Sequence, residues 1–106
     1  MTKINILRNA QNSIVEVEVR EHTGYAPEGT DIVCAGISAL TQSALLGLGR
    51  YLKLNVEYKI STGYLHFNIA GKENELTDAI LETMFLGLCE IAQTYKKYVR
   101  IDDSRR

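Results

Sequence analysis

The residues of this 106-residue chain with the types and spacing for nucleophilic chemistry are His22 and Cys34. They stand in one run, HTGYAPEGTDIVCAGISAL from His22 to Leu40, which joins a polar, glycine-punctuated loop to a helix start made of small residues. Asp31 has the side chain of an N-cap, and that places Cys34 at N3. There the unpaired backbone N–H groups and the partial positive charge of the helix terminus favour a thiolate. The Asp31 carboxylate works against the thiolate, so the site needs a positive partner. His22, folded back over the helix start, would take the thiol proton and stand as imidazolium beside the sulfur. The N–H groups of Cys34 and Ala35 are placed to hold an oxyanion. Ser38, one turn beyond Cys34, is a supporting candidate that either hydrogen-bonds the site or bonds back to its own helix. Ala35, Gly36, Ser38 and Ala39 keep the helix surface low. Gly36 costs up to about 1 kcal/mol relative to alanine, which close approach of a substrate, a strand or a partner helix would explain. Gly24 and Gly29 leave the preceding loop free to move over a cleft.

Plainer readings stand beside these. A lone cysteine in an apolar helix is usually a small buried hydrophobe, and Cys89 in LGLCEIA is expected to be core. His66 alternates with Tyr64 and Asn68 on the polar face of a strand, facing solvent or a dimer contact. Two cysteines without a CxxC or His-rich companion make neither a zinc site nor a disulfide framework, and no metal or organic cofactor is called for. A Cys34–Cys89 bridge would instead mark a thiol redox sensor.

Positioning these residues requires a scaffold, and hydrophobic periodicity supplies one. Lys3 to Arg8 reads as a short strand. Ser13 to Arg20 alternates Val15, Val17 and Val19 against Glu16, Glu18 and Arg20, with NAQN as the hairpin turn between the two. Asp31 to Leu52 reads as a helix apolar around most of its circumference, which must be covered on more than one side. Asn55 to Ile60 alternates with Val56, Tyr58 and Ile60 inward, and STG turns it into Tyr64 to Ala70 with Leu65, Phe67 and Ile69 inward. A long amphipathic helix runs from KENELTDAI to about Val99, and the IDDSRR tail is expected to fray. The order ββαββα, with one polar face per strand, predicts an α+β two-layer sandwich: a four-stranded antiparallel or mixed sheet with two long helices on one face. The nearly all-apolar first helix points to a homodimer.

Composition bounds the class. One domain spans 1–106. A formal net charge of -1 and a pI near 6.1 make nucleic acid an unexpected partner. No charge-free apolar stretch is expected to reach the roughly 20 residues that span a bilayer. The N-terminal MTKINILRNAQ lacks a secretion signal's apolar region, so a cytoplasmic protein is expected.

The run HTGYAPEGTDIVCAGISALTQSALLGL resembles the signature of the ribosomal-processing cysteine protease family Prp, in which a histidine in a mobile loop precedes a DIVCAA-S-L helix start. His22, Gly29, Asp31, Ile32, Val33, Cys34, Ala35, Ser38 and Ala39 occupy the motif positions in order, and the flanking elements extend the likeness over nearly the whole chain. The resemblance implies a homodimeric endopeptidase that removes the N-terminal extension of a large-subunit ribosomal protein, with Cys34 as nucleophile and His22 as base. It also implies an extended substrate with bulky aromatic residues before the cut and basic ones after it, which Glu21, Glu28 and Asp31 would suit. The chain departs from the family at one place: where the family has glycine, histidine, alanine, this sequence reads Glu21, His22, Thr23. That departure is the feature favouring a rival class, a non-catalytic ribosome-associated peptide-binding module of the same fold.

Overall fold

The computed structural model describes residues 1–21 and 30–105, leaving aside the side chains of residues 30 and 31. Within them run β1 (Thr2–Arg8), β2 (Ile14–Glu21), α1 (Thr30–Leu46), β3 (Glu57–Ser61), β4 (Tyr64–Asn68), α2 (Glu75–Thr94) and β5 (Val99–Arg105). The strands form one mixed sheet of order β3-β4-β2-β1-β5, parallel only where β1 meets β5. The architecture is the expected α+β class, with five strands in place of four.

Period-two alternation builds the inner sheet face. Ile4 and Ile6 of β1, Val17 of β2 and Phe67 of β4 are fully buried. They meet Val33, Ile37, Ala44 and Leu48 from α1 and its continuation, and Leu81, Met84 and Leu88 from α2, in a single core. At the β1–β2 turn Asn12 takes a positive φ of 71°. α2 starts at a capping box: Asn74 accepts from the N–H groups of Leu76 and Thr77, and the Thr77 hydroxyl accepts from the Asn74 N–H at 2.8 Å.

Three segments differ from the periodicity. α2 stops at Thr94 instead of near Val99, and the tail expected to fray forms β5. Val99 and Ile101 pair with Thr2 and Ile4, covering the edge of β1 that would otherwise be open. The Arg8 guanidinium, 7% exposed, holds the strand in place through Asp103 at 2.9 Å and Glu82 of α2 at 2.5 Å. β3, expected to point Tyr58 and Ile60 inward, leaves them 64% and 46% exposed, because the outermost strand lies beyond the cover of the helices.

The first helix was expected over Asp31 to Leu52. It runs from Thr30 to Leu46 and continues as a π-helical turn, Gly47–Tyr51, closed by the Leu52 N–H on the Gly47 carbonyl at 3.0 Å. Contrary to the expectation of no such stretch, Ile32–Tyr51 is long and apolar enough to cross a membrane by length and composition, with a mean hydropathy of 1.6. In this fold Val33, Ile37, Thr41, Ala44 and Leu48 of that stretch are sealed in the core. The small residues have a packing role. A Cβ on Gly36 would lie 3.2 Å from Cδ1 of Ile91, and one on Gly87 would lie 2.9 Å from Cδ1 of Leu40. Among the described residues, what approaches Gly36 is thus a side chain of α2.

Candidate functional site

Cys34 is the fifth residue of α1, which begins at Thr30. Asp31 therefore lies inside the first turn instead of capping it, and Cys34 falls in the second turn, not at N3. Two consequences follow from helix geometry. The i→i−4 ladder directs the N–H groups of Cys34 and Ala35 to the carbonyls of residues 30 and 31, so neither is an open oxyanion donor. The charge of the helix end falls off within the first turn and reaches the sulfur weakened.

One observed partner of the sulfur is a hydroxyl that the sequence did not single out. Thr2 Oγ1 lies 3.9 Å from Cys34 Sγ, and Thr2 is 5% exposed. Thr2 heads β1, opposite Glu21 at the end of β2 and Val99 at the start of β5. The half-buried thiol thus sits at the corner where three strand ends meet. A single threonine at a strand start carries no local signature, so nothing in the sequence marked it.

His22, Gly24, Glu28 and Gly29 lie outside the described residues, as does the side chain of Asp31. Glu21, the residue immediately before His22, is the register partner of Thr2, so the chain leaves β2 beside the thiol. Ser38 is half-buried one turn along from Cys34. With Glu21, Gln42 and Tyr64 it lines a cleft of about 80 Å³.

The second cysteine has a different environment. Burial pushes the Cys89 thiol up, the Asp103 charge adds to the shift, and Arg8 opposes it. Both cysteines are thiols. A raised pKa suits Cys89 poorly to resolve an oxidised partner.

On the far face of the sheet, the polar residues are knitted together. Glu18 accepts from the Tyr64 hydroxyl at 2.9 Å and from Asn5 at 3.1 Å, with Arg20 at 3.1 Å. Burial alone would raise the Glu18 carboxyl, but hydrogen bonds from Arg20, Tyr64 and Asn5 outweigh it and hold the carboxyl below its usual value. His66 Nε2 meets Glu16 at 2.8 Å, so His66 serves this network and not the thiol.

A half-buried thiol with a hydroxyl contact is equipped for acyl transfer through a thioester. The comparisons agree. The family model described as cysteine protease Prp matches residues 1–100. The ribosomal processing cysteine protease Prp of Staphylococcus aureus is 28% identical over 105 residues, covering 96% of this chain and 98% of that protein. The Bacillus subtilis protein of the same name is 25% identical over 108 residues, covering 95% and 96%. The crystal structure of S. aureus Prp with a substrate peptide superposes with a TM-score of 0.88 at 23% identity, covering 97% of this chain and 99% of that one. The form with a covalently linked product peptide superposes at 0.76 and 25%, with the same coverage.

Proposed function

The chain belongs to the cysteine protease Prp family, and on that premise we propose that it cleaves the N-terminal extension from a large-subunit ribosomal protein, with Cys34 as nucleophile and His22 as base. The observation that carries this reading is the corner at Thr2. The thiol touches the hydroxyl of the residue paired with Glu21, and His22 is the next residue in the chain.

Cys34, having passed its proton to His22, attacks the scissile carbonyl and forms a tetrahedral intermediate. His22 then protonates the leaving amine as the C–N bond breaks, leaving a thioester. Water, deprotonated by His22, hydrolyses the thioester and returns the thiol. Ser38 lines the cleft beside the reacting carbonyl, and Asp31 supports the start of the helix. The relatives are ribosomal processing proteases, which supports a ribosomal substrate here.

The enzyme works in the cytoplasm as a homodimer. Ile32 at 72% and Leu86 at 66% exposure leave the outer faces of both helices open to a second copy. Light scattering of the parent and an Ile32→Glu/Leu86→Glu variant checks this, with a dimer expected only for the parent.

The decisive assay incubates the protein with a peptide copying the ribosomal protein's extension from the same organism, followed by mass spectrometry. Cleavage by the parent and by neither Cys34→Ala nor Cys34→Ser is expected. Binding by all three without cleavage would replace the protease with the peptide-binding module.

A further inference from the structure

We infer that the open face of the sheet carries an RNA-binding strip at one end, where Lys3, Arg20, Arg100 and the lysines of the turn after α2 hold the phosphate backbone of a single strand. This goes beyond the protease reading and concerns a face that the thiol does not occupy.

The first observation is the strand register. Arg20 of β2 and Arg100 of β5 both pair with Lys3 of β1. Their neighbours Thr2, Ile4, Val19 and Val99 are buried beneath the helices, so these three exposed side chains project from the other face. The row crosses two strand spacings, about 10 Å. Like charges directly opposite one another destabilise a sheet, and Lys3 has one on each side. Arg20 is offset by Glu18 at 3.1 Å, but Lys3 and Arg100 make no hydrogen bond or ion pair among the described residues. A local rule broken without compensation inside the fold points to a partner outside it.

The second observation lies at the same end of the sheet. Tyr95, Lys96, Lys97 and Tyr98 join α2 to β5 and line a cavity of about 400 Å³. The Thr2 N–H donates to the Tyr98 carbonyl at 2.8 Å, which fastens that turn beside Lys3. Both lysines are exposed and unpaired among the described residues, and Tyr95 is 38% exposed. The net charge of -1 conceals this concentration of cations, because the rows farther along the same face carry Glu18, Asp102, Glu16 and Glu57.

Charge and shape select the occupant. Cations that follow a line, with an exposed aromatic ring beside them, suit one nucleic-acid strand: phosphates lie on the cations and a base stacks on the tyrosine. A flat anionic membrane would also press on the acidic rows, which repel it. The dimer proposed above uses the helix faces and leaves this face open. Lys3 follows Thr2, whose hydroxyl meets the Cys34 sulfur, so RNA on the row runs along the end of the sheet where the thiol sits.

Fluorescence anisotropy with a labelled single-stranded RNA of about ten nucleotides tests the strip. Binding by the parent is expected to weaken with salt on a log–log slope of about −2 to −3, the value for three or four phosphates at about 0.7 each. Lys3→Gln/Arg100→Gln is expected to weaken binding about tenfold and to shrink that slope by about 1.4. Lys96→Gln/Lys97→Gln, in an exposed turn, provides an independent pair with the same expected loss. Lys53→Gln/Lys59→Gln removes equal charge away from the strip and is expected to change affinity by no more than about twofold. The Tm of Lys3→Gln/Arg100→Gln is expected to hold or rise as repulsion is relieved, and extension-peptide cleavage is expected to keep the parent rate in all three. Equal weakening by all three double variants assigns the attraction to net charge and overturns the strip. Tighter binding of the parent to phosphatidylserine vesicles than to RNA also overturns it. Cleavage by a parent that binds no RNA removes the strip and leaves the protease standing. RNA binding that is lost in the first two variants, without cleavage by the parent, supports the strip and removes the protease.

Discussion

Replacing Arg8 by methionine tests whether a buried cation ties the C-terminal strand to the rest of the molecule. Its guanidinium is 7% exposed and reaches Glu82 at 2.5 Å, Asp103 at 2.9 Å and the Asn12 carbonyl at 3.0 Å, with the Phe85 ring 5.0 Å away. Methionine keeps an aliphatic stem over Phe85 and removes every donor. Breaking a sealed ion pair by deleting one partner costs about 3–5 kcal/mol, because the orphaned charge stays dry. Here Glu82 and Asp103 are 40% and 36% exposed and regain water once released. The expected loss is therefore smaller, about 2–3 kcal/mol. For a domain of this size that lowers Tm by about 10 °C, and urea unfolding followed by circular dichroism reads the same free energy. A cycle with Asp103→Asn isolates the link to β5, with a coupling of about 1 kcal/mol expected. A loss under about 1 kcal/mol for Arg8→Met, with zero coupling to Asp103, would show that strand pairing alone holds β5.

Removing residues 99–106 strips β1 of its parallel partner and exposes Ile4, so a chain that aggregates or has lost cooperative thermal unfolding is expected. Thr2→Val removes the hydroxyl beside the thiol at nearly constant volume; iodoacetamide labelling of Cys34 at neutral pH is expected to slow about threefold, the worth of a long, weak hydrogen bond, with the melting curve as the control for folding. Cys89→Ala is expected to leave peptide cleavage intact, because burial keeps that thiol protonated. The Glu18 carboxyl has a folded pKa below its unfolded value, so its contribution is present above the unfolded pKa and is lost as pH falls through the folded one. Unfolding midpoints measured from pH 6 to pH 3 are therefore expected to fall less steeply for Glu18→Gln than for the parent.

Alternation and helical periodicity made six of the seven elements legible, because their signals are local. β5 was not: Val99 and Ile101 are its only inward apolar residues, and Arg100, Asp102 and Asp103 dilute the pattern. What makes it a strand is remote, namely the open edge of β1 and the guanidinium of Arg8. Tyr58 and Ile60 do lie on the inner face, opposite Phe67 and Leu65, but stay exposed, since alternation identifies a face of a strand and not whether a helix reaches it. The sequence put Cys34 and Ser38 one turn apart on a single helix, and the structure keeps them there with Ser38 lining a cleft. The helix begins at Thr30, two residues before the first helical position that an Asp31 N-cap implies, and that shift takes Cys34 and Ala35 away from the open donors of the first turn. Thr2 was invisible because its proximity to the sulfur comes from sheet register alone.

The small residues around the nucleophile are explained by rotation about the helix axis. Successive α-helical residues turn by about 100°, so positions two apart face nearly opposite directions. With Gly36 seated against Ile91, Cys34 must turn away from α2, and with Leu40 over Gly87, Ser38 must do the same. A Cβ at Gly87 would come within 2.9 Å of the Cδ1 methyl of Leu40, so a larger residue there forces the Leu40 side chain to another rotamer or rolls α1. Any roll would carry Cys34 with it, away from Thr2 or deeper into the core. Gly36 and Gly87 are the seats of the contacts between the two helices. They allow α2 to set the azimuth of α1, and that azimuth determines which way the sulfur points.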